Sequence, residues 1–578
     1  MGYLKSIGTA IIYVGLILAV ITFMPGLPPE TEFVEYSITP PRQLDPKVGP
    51  KNRLNGIQKL FNGEIHAPES FDSYNGQLYT GIHGGYVLRI EEDRIVPIVK
   101  FGEKCDGIWQ EHKCGRPLGL KFDKKGNLYV VDAYYGIFQV NVATGEYKNI
   151  VNITKPIDGK VPRIPNSIDI AKNGDIYWTD SNTDFALYDL LMTFLTNPSG
   201  RLIRYNAAKK ENEVLMRNIA FANGVVLSDD ESFVLAVETL KNRIMKYNLK
   251  GPKAGQQEIF IDGLPGIPDN IHSDGHGGFL LSLIIADDPD YPQIFQSLMP
   301  HPYLRKMLVR LIMTMELPFK LLNDVYSNPC TERILHAIGS YQGAEFLSNP
   351  KEKSSVLRID ASGNIIEILT ADDGSARRIS SAYIHNGFLW LGSPFQNYLG
   401  RVPLIQAFPD LADSAKQSSH TRSEKQSPNV AASNVKTERA KRDADSTTVK
   451  PIELNRASQT TPKPTAAPTT TTPKPKTTAT PKPSPVPKTD KPMATASNVK
   501  PPETKSSTNA EAKKDNAKTV DAKLNSPKSE KSSKKEDTAK TQPEKKIKVE
   551  QNASVKQTEQ KSQSEKVKRE TNHLKDDL

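Results

Sequence analysis

Four positions carry oxygen donors in matching settings. They are Glu69 in Ala67-Pro68-Glu69-Ser70, Asn166 in Ile164-Pro165-Asn166-Ser167, Asn223 in Phe221-Ala222-Asn223-Gly224 and Asp269 in Pro268-Asp269-Asn270. Each follows a proline or an alanine and leads into an apolar run. Carboxylate and amide oxygens without thiolate or imidazole form a hard-ligand set, which suits calcium rather than zinc. Any one of them alone reads as a turn residue. Recurring at equivalent points of a repeating chain, they read as one shared metal site. His272, His276 and His385 stand near the same turns and could assist chemistry there, although a histidine in such a place is more often structural.

A shared site needs elements that aim several segments at one axis. Between about residue 65 and residue 405 a turn rich in Gly, Asn and Asp is followed by an alternating apolar strand. The copies are Asn75-Gly76-Gln77-Leu78-Tyr79, Gly126-Asn127-Leu128-Tyr129-Val130, Gly174-Asp175-Ile176-Tyr177-Trp178, Ser232-Phe233-Val234-Leu235, Gly277-Gly278-Phe279-Leu280 and Gly387-Phe388-Leu389-Trp390. The first two intervals, Gly76 to Gly126 and Gly126 to Gly174, are 50 and 48 residues. Short strands at that period predict four-stranded sheets repeated around a centre, and six copies predict an all-β, six-bladed β-propeller over residues 50–405. The last interval is long, and Leu304, Met307, Leu308, Leu311 and Met315 recur in it at helical spacing. This reads as a helix packed over one end of the propeller, with a lid or a membrane-surface helix as alternatives.

The chain of 578 residues is too long for one compact core. All 42 aromatic residues lie before residue 411. The stretch 411–578 holds 35 Lys+Arg and 21 Asp+Glu, a net +14, so the remainder carries −4 of the total +10. A segment with no aromatics cannot bury enough apolar surface to offset its chain entropy, and a disordered tail is expected. The basic character belongs to that tail, which argues against a basic nucleic-acid-binding fold.

Residues 7–24 form an uncharged apolar run after Lys5, close to the length a membrane span needs. Positive charge on the short N-terminal side favours keeping residues 1–6 cytoplasmic, giving a type II signal-anchor with the C-terminus luminal or extracellular; a cleaved signal is the alternative. Cys105 and Cys114 bracket a short polar loop and suit a local disulfide in an oxidising compartment, or less well a metal pair, while Cys330 is left over. Asn152-Ile153-Thr154 and Asn552-Ala553-Ser554 are N-glycosylation sequons. Residues 459–488 are rich in Thr and Pro, the pattern of an O-glycosylated, mucin-like stalk. Arg439-Ala440-Lys441-Arg442 fits a proprotein-convertase site through Arg439, Lys441 and Arg442, and Lys575-Asp576-Asp577-Leu578 resembles a retrieval signal.

Cys114-Gly115-Arg116-Pro117-Leu118-Gly119-Leu120, Phe221-Ala222-Asn223-Gly224-Val225 and Leu389-Trp390-Leu391-Gly392-Ser393 resemble the strictosidine synthase-like family. The resemblance spans roughly residues 50–405. It implies a six-bladed propeller related to paraoxonase and regucalcin. It also implies a central calcium held by Glu69, Asn166, Asn223 and Asp269, with Asn270 as a further ligand, and a Cys105–Cys114 disulfide. Two departures matter. The stretch 379–384, where strictosidine synthase carries a catalytic glutamate, holds no carboxylate, and Leu118 stands where paraoxonase carries a catalytic histidine. Pictet–Spengler condensation is therefore not expected.

The reading is a membrane-anchored calcium propeller whose tail glycans meet lectins or carbohydrate-binding surfaces in adhesion or immune contact. The alternative is a calcium-dependent arylesterase or lactonase acting on a small ester or lactone.

Overall fold

The structure, a computed structural model, describes residues 2–340 and 352–413. The tail, Asn552, the basic run Arg439–Arg442 and the C-terminal Lys575–Leu578 lie outside the described residues. The tail boundary expected at 411 shifts, because Leu411 and Ala412 are buried in the core of the last blade beside Phe408.

Six antiparallel sheets of four strands each follow one another along the chain. Their first strands are Phe71–Tyr74, Pro117–Phe122, Pro165–Ile170, Ala222–Leu227, Gly266–Ser273 and Ser381–His385. These strands neighbour one another in a closed ring, which makes the fold a six-bladed propeller with its first strands innermost. The sixth sheet is completed from the other end of the chain. Gln58–Leu60 pairs antiparallel with Leu399–Pro403, Gln58 opposite Arg401. The ring is thus sealed by backbone hydrogen bonds between N- and C-terminal segments, with Gln58–Leu60 as the outermost strand of the sixth sheet.

The repeated turns explain the strands. Asn75 and Gly76, and again Asn386 and Gly387, have positive φ at both turn centres, which is the hairpin geometry that favours Asn-Gly. Apolar side chains from facing sheets fill the gaps between blades, as where Tyr79, Phe101, Phe122 and Phe138 meet between the first two blades. Glycine permits the tightest approaches near the axis. A Cβ on Gly224 would stand 2.6 Å from Ile271 N and 2.8 Å from Asp269 O.

The insertion in the fifth blade is helical, with Pro302–Val325 and Pro329–Gly339 packed over one end of the ring. The buried face of the long helix is not the stripe that spacing suggests. Arg305, Val309, Ile312 and Glu316 point inward, while Leu304 and Met315 are exposed. The reason is polar: Arg305 donates to Leu195 O and Thr196 O, the C-terminal carbonyls of the short helix Leu190–Leu195. Cys330, in the first turn of Pro329–Gly339, is exposed.

The apolar N-terminal run is a helix, Gly2–Phe23, longer than the expected 7–24 at its start and taking in Lys5. Nothing in residues 2–6 breaks a helix, and 22 residues span about 33 Å at 1.5 Å per residue. Among the described helices it is the one long and apolar enough to cross a membrane.

The close approach at Gly224 can be checked. Gly224→Ala should destabilise the chain by about 1–3 kcal/mol, because the new methyl meets backbone that cannot yield cheaply. Gly49→Ala, whose methyl would meet only Pro46 O at 3.4 Å, should be close to neutral. Thermal melts of the two variants beside the parent would separate the cases.

Candidate metal and ligand site

Four of the five predicted ligands sit where an inner strand departs from regular pairing. The register breaks between Pro165 and Ile168, between Ala222 and Val225, and between Pro268 and Ile271. These bulges hold Asn166, Asn223 and Asp269–Asn270, and a bulge is how a strand re-aims a side chain. Glu69 lies just before the first inner strand. The second blade has the same break between Pro117 and Gly119, and there the re-aimed residue is Leu118, which lines the cavity as an apolar wall. Two residues before Glu69, Asn223 and Ser380, the backbone of Ala67, Phe221 and Arg378 is left-handed, with φ of 55°, 63° and 51°. Non-glycine residues in that region are strained, and such strain gathers at functional sites.

All five predicted residues are buried, and the structure brings them into one cluster. The Asn270 amide nitrogen is shared between Glu69 Oε1 at 3.2 Å and Asp269 Oδ1 at 3.3 Å. Arg116 faces Glu69 Oε2 at 3.4 Å and donates to Ala67 O at 2.8 Å. The Asn166 amide donates to Ser181 Oγ at 3.0 Å, and that hydroxyl donates to Ala222 O at 2.7 Å. With the nitrogen so fixed, the Asn166 oxygen is directed elsewhere. The Asn223 amide bonds to Asp269, and its Oδ1 is buried without a hydrogen-bond partner among the described residues.

Electrostatics mark the cluster as incomplete. Burial, only partly offset by Arg116, pushes the Glu69 carboxyl up. Burial and then the nearby Glu69 charge push Asp269 well above the carboxylate range. Two buried acids that repel, one orphaned amide oxygen and one oriented amide oxygen fit a hard divalent cation. Glu69, Asn166, Asn223 and Asp269 are the residues that would hold it. Asn270 bridges the two acids through its amide nitrogen in this arrangement.

The cluster floors a cavity of about 190 Å³. Its walls are largely apolar and aromatic, including Trp109, Tyr134, Phe221 and Phe295. Three polar groups in the walls were not found from sequence. Glu111 accepts from His83 Nδ1 at 3.1 Å and from the Tyr134 hydroxyl at 3.2 Å. Burial opposes its charge, but His83 and Arg116 outweigh burial and hold it below its usual value. Glu352 accepts from Arg378 Nε at 3.0 Å, and His336 is the histidine that lines the cavity among the described residues. None of the three sits in a repeated motif, so spacing could not flag them.

The three histidines named from sequence do not line this cavity. His272 lies deeper in the channel, bonded to Ser381 Oγ at 2.9 Å; burial, with Lys121 nearby, pushes it down to about 3. Lys121 there pairs with Asp169 at 3.3 Å, and Asp72 accepts from Phe122 N and the Tyr383 hydroxyl, so polar side chains fill the axis beneath the acid cluster. His276 lies in an outer turn, and His385 ends the inner strand of blade six. Cys105 and Cys114 are bonded to each other as a disulfide, which closes the metal-pair alternative. The loop they tie off carries Trp109 and Glu111 into the cavity wall. Asn152 is exposed, its Oδ1 accepting from Thr154.

A profile of the family described as strictosidine synthase matches residues 166–252, and one described as strictosidine synthase-like, N-terminal, matches residues 50–90. The chain is 40% identical over 409 residues to the adipocyte plasma membrane-associated protein Hemomucin of Drosophila melanogaster, covering 70% of each chain. It is 30% identical over 393 residues to the adipocyte plasma membrane-associated protein of Salmo salar, covering 67% of this chain and 87% of the relative. Among solved structures, a gluconolactonase from Xanthomonas campestris is similar at 13% identity and a TM-score of 0.39, covering 64% of this chain and 97% of that one.

The raised carboxyls set a pH dependence. A carboxyl whose folded pKa exceeds its unfolded value binds more protons when folded, so its contribution to stability falls as pH rises between the two values. With chelator present, stability should decline from about pH 4 upward through the raised values of Glu69 and Asp269. Calcium should flatten that decline by favouring both anions. Denaturant titrations across pH, with chelator and with calcium, would show it, because only the difference between the two curves belongs to the site.

Proposed function

Because the chain belongs to the adipocyte plasma membrane-associated protein family, within the strictosidine synthase-like group, we propose that it is a membrane-anchored calcium propeller that binds an oxygen-bearing apolar ligand in its axial cavity and serves recognition at a surface. The observation that carries the reading is the buried pair Glu69 and Asp269 beside the orphaned Asn223 oxygen. Burying two acids together is costly unless a cation joins them. Held there, calcium would supply a Lewis-acidic point for a ligand oxygen. The chain's own residues do the rest: aromatic side chains exclude water from the cavity, and Arg116 holds the Glu69 carboxylate in place.

Exposure outside the cytosol is supported by the N-terminal apolar helix, by the disulfide and by the exposed Asn152 sequon. In this reading Gly2–Phe23 is a type II anchor, and the Thr/Pro-rich segment is a glycosylated stalk that meets lectins or carbohydrate-binding surfaces. Hydrolysis of a small ester or lactone is the second reading. It is favoured by Glu111 and Tyr134, a hydrogen-bonded acid and phenol in the cavity wall that can hold or pass a proton.

One variant tests the metal and then the chemistry. In calcium the parent chain should melt at a higher temperature than in chelator, and Asp269→Asn should erase the difference. In chelator the variant should be at least as stable as the parent, since it removes a buried charge with no partner cation. A variant that melts lower in chelator as well, yet still gains from calcium, would overturn the metal site. Turnover of a phenyl ester or a simple lactone that chelator stops and Asp269→Asn abolishes would favour the hydrolase. No turnover with an intact calcium shift would favour pure binding.

A further inference from the structure

We propose that the long helix Pro302–Val325 lies on the surface of the lipid leaflet from which the N-terminal helix emerges, and that lipid covers its exposed face; this rests on reading Gly2–Phe23 as a membrane anchor. The first observation is the face itself. At 100° per residue, Tyr303, Leu304, Met315, Leu321, Leu322 and Val325 fall in one sector of about 120°, away from the buried residues Arg305, Val309, Ile312 and Glu316. No charged residue falls within that sector; Arg310 borders it beside Tyr303 and Leu321, Lys306 and Asp324 leave from one flank, and Lys320 turns to the buried Glu316. Val325 is 88% exposed and Leu321 58%. An apolar strip of this length turned to water needs a partner.

The second observation names the partner. Arg310 donates from Nη1 to the carbonyls of Ile21, Thr22 and Met24, each at 3.0 Å, and so caps the last turn of the N-terminal helix. The Phe23 ring lies 5.6 Å from that of Tyr303. The level at which the anchor leaves the bilayer is therefore the level of the long helix, and Tyr303 of the apolar strip meets Phe23 at the end of the anchor. Tyr303 and Tyr326, 67% and 70% exposed, stand at the two ends of the strip, where amphipathic rings favour the lipid–water boundary. The helices Leu190–Leu195, Ile294–Leu298 and Pro329–Gly339 pack on the long helix and give Phe194, Phe295 and His336 to the cavity wall. The cavity end of the propeller is then the end turned toward the membrane, within reach of a ligand dissolved in the leaflet.

The test uses the full chain in phosphatidylcholine vesicles. In a Cys330→Ser background, single cysteines from Val14→Cys, Leu321→Cys, Val325→Cys and Lys209→Cys carry a nitroxide label. Collision rates with oxygen and with a water-soluble nickel chelate then report depth. Position 14 should favour oxygen strongly and position 209 nickel. Positions 321 and 325 should favour oxygen over nickel several-fold relative to 209. Values at 321 and 325 equal to those at 209 would overturn the proposal while leaving the anchor intact. Protection from both reagents that persists in dilute detergent would overturn it too, by placing a protein surface on the strip. Position 14 reading as water would remove the anchor and the proposal together.

Discussion

The structure depends on ring closure. Glu69 and Asp269 are 200 positions apart in the sequence, yet both are bonded by one side-chain amide, that of Asn270. The strand Gln58–Leu60, which precedes Glu69 in the chain, completes the sheet that ends with Leu399–Pro403 and so anchors the segment leading to Glu69 on blade six. Blade six also braces the site directly, through Ser380, whose hydroxyl donates to Glu69 O and whose carbonyl accepts from Asn270 N. The seam lies at the rim, but its consequence is felt at the axis. Loss of the short outer strand would loosen the segment that leads to Glu69, leaving blade one tied to blade six by its apolar contacts with Trp390 and Leu399 and by Ser380.

Closure also explains why the site can hold an unfavourable arrangement. Left-handed backbone at Ala67, Phe221 and Arg378 costs about 1–3 kcal/mol each. Raised carboxyls at Glu69 and Asp269 add to the cost at neutral pH. Neighbouring blades over-determine these positions: Arg116 fixes Ala67 O, and Gly224 lets the fifth inner strand approach the fourth. The stability of the blades is spent on a strained and charged centre, as expected where the centre is the functional part.

The blades and four of the site positions were legible because both repeat. Asn75-Gly76 and Asn386-Gly387 are turns whose chemistry is local, so the sequence pattern and the observed φ values agree. Asn166, Asn223 and Asp269 were visible as polar residues entering apolar strands; the bulges that re-aim them are backbone events that no residue type announces. Glu111, Glu352 and His336 come from loops and an inserted helix outside the repeat, and only tertiary contact brings them to the cavity. The inserted helix shows the opposite failure. Its apolar spacing was seen, but burial was assigned to the wrong face, because hydrophobic pattern cannot show that Arg305 and Arg310 turn inward to satisfy helix-end carbonyls.

The combination of floor and walls constrains what the cavity can accept. An anionic group approaching the bare floor would meet Glu69 and Asp269, and Arg116 is already committed to Glu69, to Ala67 O and, at 3.6 Å, to Glu111. Unpaired positive charge is therefore not on offer at the floor without a bound cation. A neutral carbonyl or hydroxyl oxygen with an apolar body meets no such repulsion, and the aromatic walls reward the body by burial. In the proposed reading a bound divalent cation would balance the two carboxylates and offer a ligand oxygen, such as an ester or lactone carbonyl, a point of coordination. In that reading the same residues would hold the ion and orient the oxygen of the ligand.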